Sequence, residues 1–126
     1  MAGRITDDEF ADLVDEALAD LPAELGRYLD GVAIDIEPMP DRETARSVGL
    51  RSRRHLLGLY VGVPLTQRSV EQLARLPDRI VIYRDNILRA CRTRQQVVDQ
   101  VRTTVLHEVG HHFGLDELDL DQLGYG

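Results

Sequence analysis

The chain has 126 residues, and 43% of them are hydrophobic, which suits one packed core and excludes a disordered protein. The formal net charge of −7 argues against a general nucleic-acid binder, whose surface would be basic. The lone Cys91 excludes an intrachain disulfide, the start of the chain is polar and acidic, and no apolar run is long enough to cross a bilayer. We therefore expect one cytoplasmic domain over residues 1–126, with no nucleic-acid or membrane partner.

The first part of the chain predicts a helix, a short second helix and a strand. Thr6 and Glu9 form a capping-box pattern, and apolar residues then recur at helical spacing as far as Leu21. Pro22 ends this helix or opens a short one through Leu29. After a turn at residues 30–31, residues 32–37 alternate as a strand does. A loop with two prolines then precedes a possible helical turn at residues 42–47.

Two further strands are predicted in the middle of the chain. The first covers residues 56–63, where Gly58 and Gly62 suggest a bulge or close approach by another backbone. One or two helical turns are possible at residues 70–76. The next strand, residues 79–84, is apolar on both faces and is therefore expected at the centre of a sheet. Asp85 then begins a short helix that runs through Cys91.

The last predicted element is a long helix with Thr93 as its N-cap. Gly114 is expected to stop this helix with a positive φ, and residues 116–123 form a short acidic turn. The element order α, β, β, β, α indicates an α+β fold, in which a small mixed sheet packs on this helix. The apolar stripe of the helix contains Val97, Val98, Val101, Val105, Leu106 and Val109.

The long helix carries the pattern H-E-x-x-H between His107 and His111. Residues four apart lie on one face of a helix, so both imidazoles can bind one zinc ion. Glu108 lies about 100° around the helix from His107, where its carboxylate can accept a proton from a water molecule on the zinc. The pattern therefore predicts a zinc site with His107 and His111 as ligands and Glu108 as general base.

The third zinc ligand is expected just beyond Gly114. A positive φ at this glycine would turn the chain back under the metal, and Glu117 follows three residues later. The full pattern is then H-E-x-x-H-x-x-G-x-x-E, in which Glu117 takes the place of the final histidine of the long zinc-protease motif. A carboxylate is a sound zinc ligand. Asp116 is the nearest rival, one residue off the spacing.

Several other conspicuous residues are interpreted as structural. His112 is rotated by about 100° from His111 and is expected to pack beside the site rather than to bind the metal. His55 is placed at the start of a strand and is given no ligand role. Residues 51–54 contain three arginines and are interpreted as a solvated stretch. Cys91 is expected to be a small buried residue, and Tyr60, Tyr83 and Tyr125 are interpreted as core residues.

The chain resembles the small bacterial zincin-like metallopeptidases, a family formerly described as a domain of unknown function. The resemblance lies in LLGLYVGVPLTQRS (56–69), LPDRIVIYRDNI (76–87) and VRTTVLHEVGHHFGLDE (101–117), and it extends from about residue 21 onward. It implies a minimal zincin fold: a sheet, an active-site helix and little else. It also implies His107 and His111 as zinc ligands, Glu108 as base and an acidic third ligand at Glu117.

One departure separates the chain from the long-motif metalloproteases. Those enzymes place a methionine-containing turn under the metal, whereas this chain has only Met1 and Met39. The leading hypothesis is a zinc-dependent metallopeptidase whose peptide or protein substrate adds to a sheet edge formed by residues 56–63. The alternatives are a zinc-binding interaction or regulatory module with little or no turnover, and a regulatory peptidase that cleaves a single repressor. The pattern carries no signal for oligomeric state.

Overall fold

Helix α1 (Asp7–Ala19) begins at the predicted capping box. In this computed structural model, which describes residues 4–62 and 78–114, Thr6 Oγ1 accepts a hydrogen bond from Glu9 N at 3.1 Å. Glu9 Oε1 accepts one from Thr6 N at 3.2 Å in return. A 3₁₀ turn (Ala23–Leu25) and helix α2 (Gly26–Leu29) follow Pro22, so the prediction of a short second helix is confirmed.

A mixed three-stranded sheet is formed by β1 (Ala33–Glu37), β2 (Gly58–Val61) and β3 (Arg79–Tyr83). Strand β3 lies in the middle, parallel to β1 and antiparallel to β2. Its residues 80–83 are buried, so the prediction of a central strand apolar on both faces is confirmed. Strand β2 is shorter than the predicted 56–63, and a 3₁₀ turn (Arg53–His55) lies before it. Leu56 O, inside the predicted strand, accepts from the side chain of Asn86 instead of from a strand.

Three more helices complete the described fold: α3 (Arg42–Ser47), α4 (Arg84–Ala90) and α5 (Arg94–Phe113). Helix α4 begins one residue earlier than predicted, directly after Tyr83. His55 lies in the 3₁₀ turn and not at the start of a strand, which corrects its predicted position. The helical turns predicted at residues 70–76 and the acidic turn at residues 116–123 lie outside the described residues.

Helix α5 forms the core with α1 and the sheet. Its predicted apolar stripe is confirmed, since each member is buried, and burial of a valine or leucine side chain stabilises a fold by about 1.5–3 kcal/mol. Cys91 is buried beside it, and burial raises the pKa of the thiol, as expected of an unreactive residue. Within residues 4–62 and 78–114, no helix is both long and apolar enough to cross a membrane.

Candidate metal centre

The H-E-x-x-H residues lie on the last turns of α5. Its N-cap is Thr93, whose hydroxyl accepts a hydrogen bond from Gln96 N at 3.1 Å, and its end is Gly114 with φ 71°. Both ends agree with the predicted signals. Val105, Leu106 and Val109 hold one side of the helix in the core, so the opposite side is directed outward at the position of the motif.

His107 and His111 share this outward face. Their ring centroids are 6.4 Å apart and their planes differ by 24°. The His111 side chain is 80% exposed. Within the described part of the chain, neither ring has a hydrogen-bond partner, so their nitrogens are available for a metal. Two imidazoles on successive helical turns are the kind of donor that zinc accepts.

The described residues supply only part of the predicted ligand set. No group of three or more histidine, cysteine, aspartate or glutamate side chains in residues 4–62 and 78–114 is placed to hold a metal. The predicted third ligand Glu117 and its rival Asp116 both lie outside these residues. The left-handed conformation of Gly114, which the prediction of a third ligand requires, is present at the end of the helix.

Glu108 joins α5 to strand β2. Its Oε1 accepts a hydrogen bond from the backbone N–H of Tyr60 at 2.9 Å. Its Oε2 lies 3.8 Å from Nδ1 of His111, which is too far for a hydrogen bond. The Glu108 side chain is 19% exposed. Because one oxygen contacts β2 and the other is directed towards His111, the carboxylate lies between the edge of the sheet and the histidine-bearing face of the helix.

The backbone N–H of Tyr60 donates from the open side of β2, the side that faces away from β3. Leu57 O accepts from Tyr83 N of the central strand, so alternate residues of this segment bond to β3. The backbone groups of Gly58 and Tyr60 are then directed to the other side, and no strand in the described part of the chain pairs there. Strand β2 is thus an edge of the described sheet, as expected from the sequence.

Gly58 allows β2 to lie close to α5. A Cβ atom at this position would fall 2.5 Å from Thr104 Cγ2 and 3.1 Å from Val81 O. The predicted close approach is therefore present, although the nearest neighbour is a helix side chain rather than another backbone. Any larger residue would force the edge strand away from the helix that carries Glu108.

An aromatic cluster flanks the same edge. The ring of Tyr60 stacks on His112 with centroids 3.8 Å apart and an interplanar angle of 13°. The Tyr60 hydroxyl donates to Asp78 Oδ2 at 2.9 Å, and Phe113 packs against both rings of the stack. His112 is therefore a packing residue in this structure, as its rotation from His111 suggested.

Tyr60 is the residue of this site that the sequence interpretation missed. The sequence predicts a core tyrosine at this position, whereas the side chain is only partly buried and the backbone N–H donates to Glu108. The signal available in the sequence was its place between Gly58 and Gly62 in a short strand. Tyr83, by contrast, is a core residue as predicted, and burial raises the pKa of its phenol.

Comparison with known proteins identifies the class. The family model described as zincin-like metallopeptidase matches residues 29–126, which is more than half of the chain. The chain therefore belongs to the zincin-like metallopeptidase family, and the resemblance noted from the sequence is confirmed.

The chain is also similar to the solved structure of a conserved hypothetical protein from Thermus thermophilus. The TM-score is 0.56 and the sequence identity 27%, over 86% of this chain and 94% of that one. No curated protein matches the chain.

Proposed function

We propose that the protein is a zinc-dependent metallopeptidase that hydrolyses peptide bonds. The observation that carries this proposal is the placement of Glu108 between the edge strand and the face of α5 that holds His107 and His111. In this proposal the two histidines and Glu117 hold zinc. Zinc, when bound, would lower the pKa of a water molecule and polarise the carbonyl group that this water attacks.

Glu108 is the proposed general base. Its carboxylate takes the proton from the attacking water and then passes it to the leaving amine. A base must lie within hydrogen-bond reach of the proton it removes. The position of Oε2 on the His111 side of the carboxylate supports this assignment, because that oxygen faces the proposed metal site while Oε1 is held by Tyr60.

A peptide substrate is proposed to add to the open edge of β2. Its carbonyl groups would accept hydrogen bonds from outward N–H groups of the strand, which is the usual way in which an extended peptide joins a sheet. Tyr60 N–H is one of these donors, and Glu108 occupies it in this structure. A substrate carbonyl that bonds to Tyr60 would release the carboxylate for proton transfer.

The test compares the wild-type protein with Glu108→Gln. Glutamine keeps the size of the side chain but cannot accept the proton, so peptide cleavage in the presence of zinc should fall by about 10²–10⁴-fold. Glu16→Gln, at an exposed position of α1, is the matched control and should cleave as the wild type does. Equal turnover by the wild type and Glu108→Gln, or no cleavage by either across broad peptide libraries, would contradict the proposal.

A second candidate function is a zinc-binding interaction module without useful turnover. The hydrogen bond between Tyr60 N and Glu108 favours it, since a glutamate that ties helix to strand has a structural reason to be there. Affinity capture with the purified chain would then give one stoichiometric partner whose binding is unchanged in Glu108→Gln. A protein that is cut only when Glu108 is intact would rule out this alternative.

A further inference from the structure

A cavity lined by arginines lies apart from the proposed zinc site. It has a volume of about 680 Å³. It is lined by residues of α3, of the 3₁₀ turn Arg53–His55 with the segment before it, and of α4. Helices α3 and α4 follow the parallel strands β1 and β3 in the chain. Ligand-binding clefts of proteins have volumes of about 300–1,000 Å³, so the size of this cavity suits a small molecule. Six of its nine lining residues are arginines: Arg42, Arg46, Arg51, Arg53, Arg54 and Arg89.

We call this cavity the arginine cleft. Its other three lining residues are uncharged, so none of them neutralises the charge of the arginines. In the described part of the chain, none of the six arginines forms an ion pair, and Arg89 donates to the neutral amide oxygen of Asn86. Asp41, whose carboxylate feels the charge of Arg53, is engaged at the start of α3 by the backbone N–H of Thr44 at 2.7 Å.

Four of the seven other arginines in the described structure pair with carboxylates, whereas Arg4, Arg27 and Arg92 form no ion pair there. Arg79 bonds Asp35 and Glu37, and the other three of the four also meet carboxylates. These are Arg84, Arg94 and Arg102. Like charges gathered around one cavity repel one another, and a bound anion would relieve the part of this repulsion that solvent leaves unscreened.

A buried amide holds part of the cleft in place. Asn86 is 1% exposed, and its Nδ2 donates to the carbonyl oxygens of Arg53 and Leu56, each at 2.7 Å. Its Oδ1 accepts from Arg89 Nη1 at 3.0 Å. One buried side chain thus fixes both the backbone of the 3₁₀ turn and the direction of an arginine on α4. The six arginine side chains are exposed, but Asn86 fixes the backbone at Arg53 and the direction of Arg89.

The turn after α3 brings the remaining arginines together. Gly49 has φ 82°, a conformation in which glycine is favoured, and Leu50 N donates to Ala45 O at 3.0 Å. The chain is folded back at this point, so that Arg51 lines the same cavity as Arg46.

We propose that the arginine cleft binds a small anion that carries several phosphate groups. The guanidinium fork matches phosphate oxygens in bidentate fashion, and several forks around one cavity suit a ligand with more than one phosphate. Arg51, Arg53 and Arg54 are exposed, as a solvated stretch requires, but their convergence with Arg42, Arg46 and Arg89 is visible only in the fold. This site is independent of the proposed peptidase activity.

Titration calorimetry of the full chain with sodium tripolyphosphate at low ionic strength tests the proposal. Arg46→Gln/Arg54→Gln should weaken binding by about tenfold or more, because two charge-assisted contacts are lost. The matched control is Arg4→Gln/Arg92→Gln, which removes the same charge from two exposed positions outside the cleft. Any binding of tripolyphosphate to zinc is common to all these proteins and cancels in the comparison.

The same titration with a nucleoside triphosphate identifies the source of the phosphate groups. Affinity equal to that of tripolyphosphate supports an inorganic or generic polyphosphate ligand, and clearly tighter binding supports a nucleotide. No binding of tripolyphosphate at millimolar concentration, an equal loss in both double variants, or tighter binding of a single-stranded oligonucleotide would overturn the proposal. Arg42→Gln/Arg51→Gln provides a second test should the first double variant not fold.

Discussion

Tyr60 N–H and Glu108 Oε1 are joined by a 2.9 Å hydrogen bond that spans 48 positions of sequence. This bond connects the open edge of β2 to the helix that carries both histidines. It gives Glu108 a structural role in the fold in addition to the catalytic role proposed for it. The two roles can be separated, because they depend on different properties of the side chain.

Replacing Glu108 with alanine should destabilise the fold more than replacing it with glutamine. Glutamine retains an oxygen that can accept from Tyr60 N–H, whereas alanine leaves this donor without its partner. Hydrogen bonds to charged groups contribute about 1.5–3 kcal/mol and neutral ones about 0.5–1.5 kcal/mol. We therefore expect Glu108→Ala to cost about 1 kcal/mol more than Glu108→Gln in urea unfolding with a chelator present. Identical losses in the two variants would show that the bond contributes nothing.

Gly58→Ala should destabilise the protein, since its Cβ would lie 2.5 Å from Thr104 Cγ2. Overpacking of this kind costs about 1–3 kcal/mol. Thr104→Ser removes the opposing methyl group and keeps the hydroxyl that accepts from Gln100, so the double variant should recover part of the loss in thermal unfolding. Gly26→Ala, where a Cβ meets nothing within 4 Å, is the control and should be neutral or slightly stabilising. Additive effects of Gly58→Ala and Thr104→Ser would contradict the contact.

His112→Ala should leave zinc binding intact, because His112 stacks on Tyr60 instead of facing His111 and His107. It should lower the free energy of unfolding by about 0.5–1.5 kcal/mol, the usual contribution of an aromatic pair, and His112→Phe should restore most of this. Measurement of bound zinc and of chemical unfolding on the same samples separates the two effects. Loss of zinc in His112→Phe as well as His112→Ala would make His112 a ligand.

Glu9 should add an acid-dependent component to stability. Its side-chain hydrogen bond to Arg94, together with hydrogen bonds from Thr6, lowers its pKa below the ordinary 4.5. A lowered folded-state pKa means that the stabilisation is present above the unfolded-state pKa and is lost as pH falls through the folded-state value. Glu9→Gln should therefore be less stable than the wild type at neutral pH, and the difference should shrink below about pH 4.5. A difference that grows on acidification would contradict the assignment.

Local signals predicted much of this fold. Residues that begin or end a helix bond within one helical turn, so their roles follow from neighbouring residues alone. The structure confirms these roles for Thr6 with Glu9, for Thr93 and for Gly114. The central position of β3 followed from its apolar character on both faces. The two histidines of the motif lie on one face of a helix because the helical period fixes that relationship.

Relationships between distant segments were not predictable in the same way. The bond between Tyr60 and Glu108 requires β2 to be antiparallel to β3 and α5 to cross beside it, and neither fact is encoded locally. The arginine cleft brings Arg89 of α4 next to the other five arginines, which all lie within residues 42–54. The start of β2 was equally hidden, since Leu56 O is bonded by the side chain of Asn86, which lies 30 positions further along the chain.

Zinc content of purified variants tests the central claim most directly. The wild type and Glu108→Gln should each retain near-stoichiometric zinc after dialysis, because Glu108 is not a ligand in this account. His107→Ala and His111→Ala should each lose it, since loss of one of three ligands weakens a catalytic zinc site strongly. Full zinc in His107→Ala and His111→Ala, or none in the wild type after zinc reconstitution, would contradict the account.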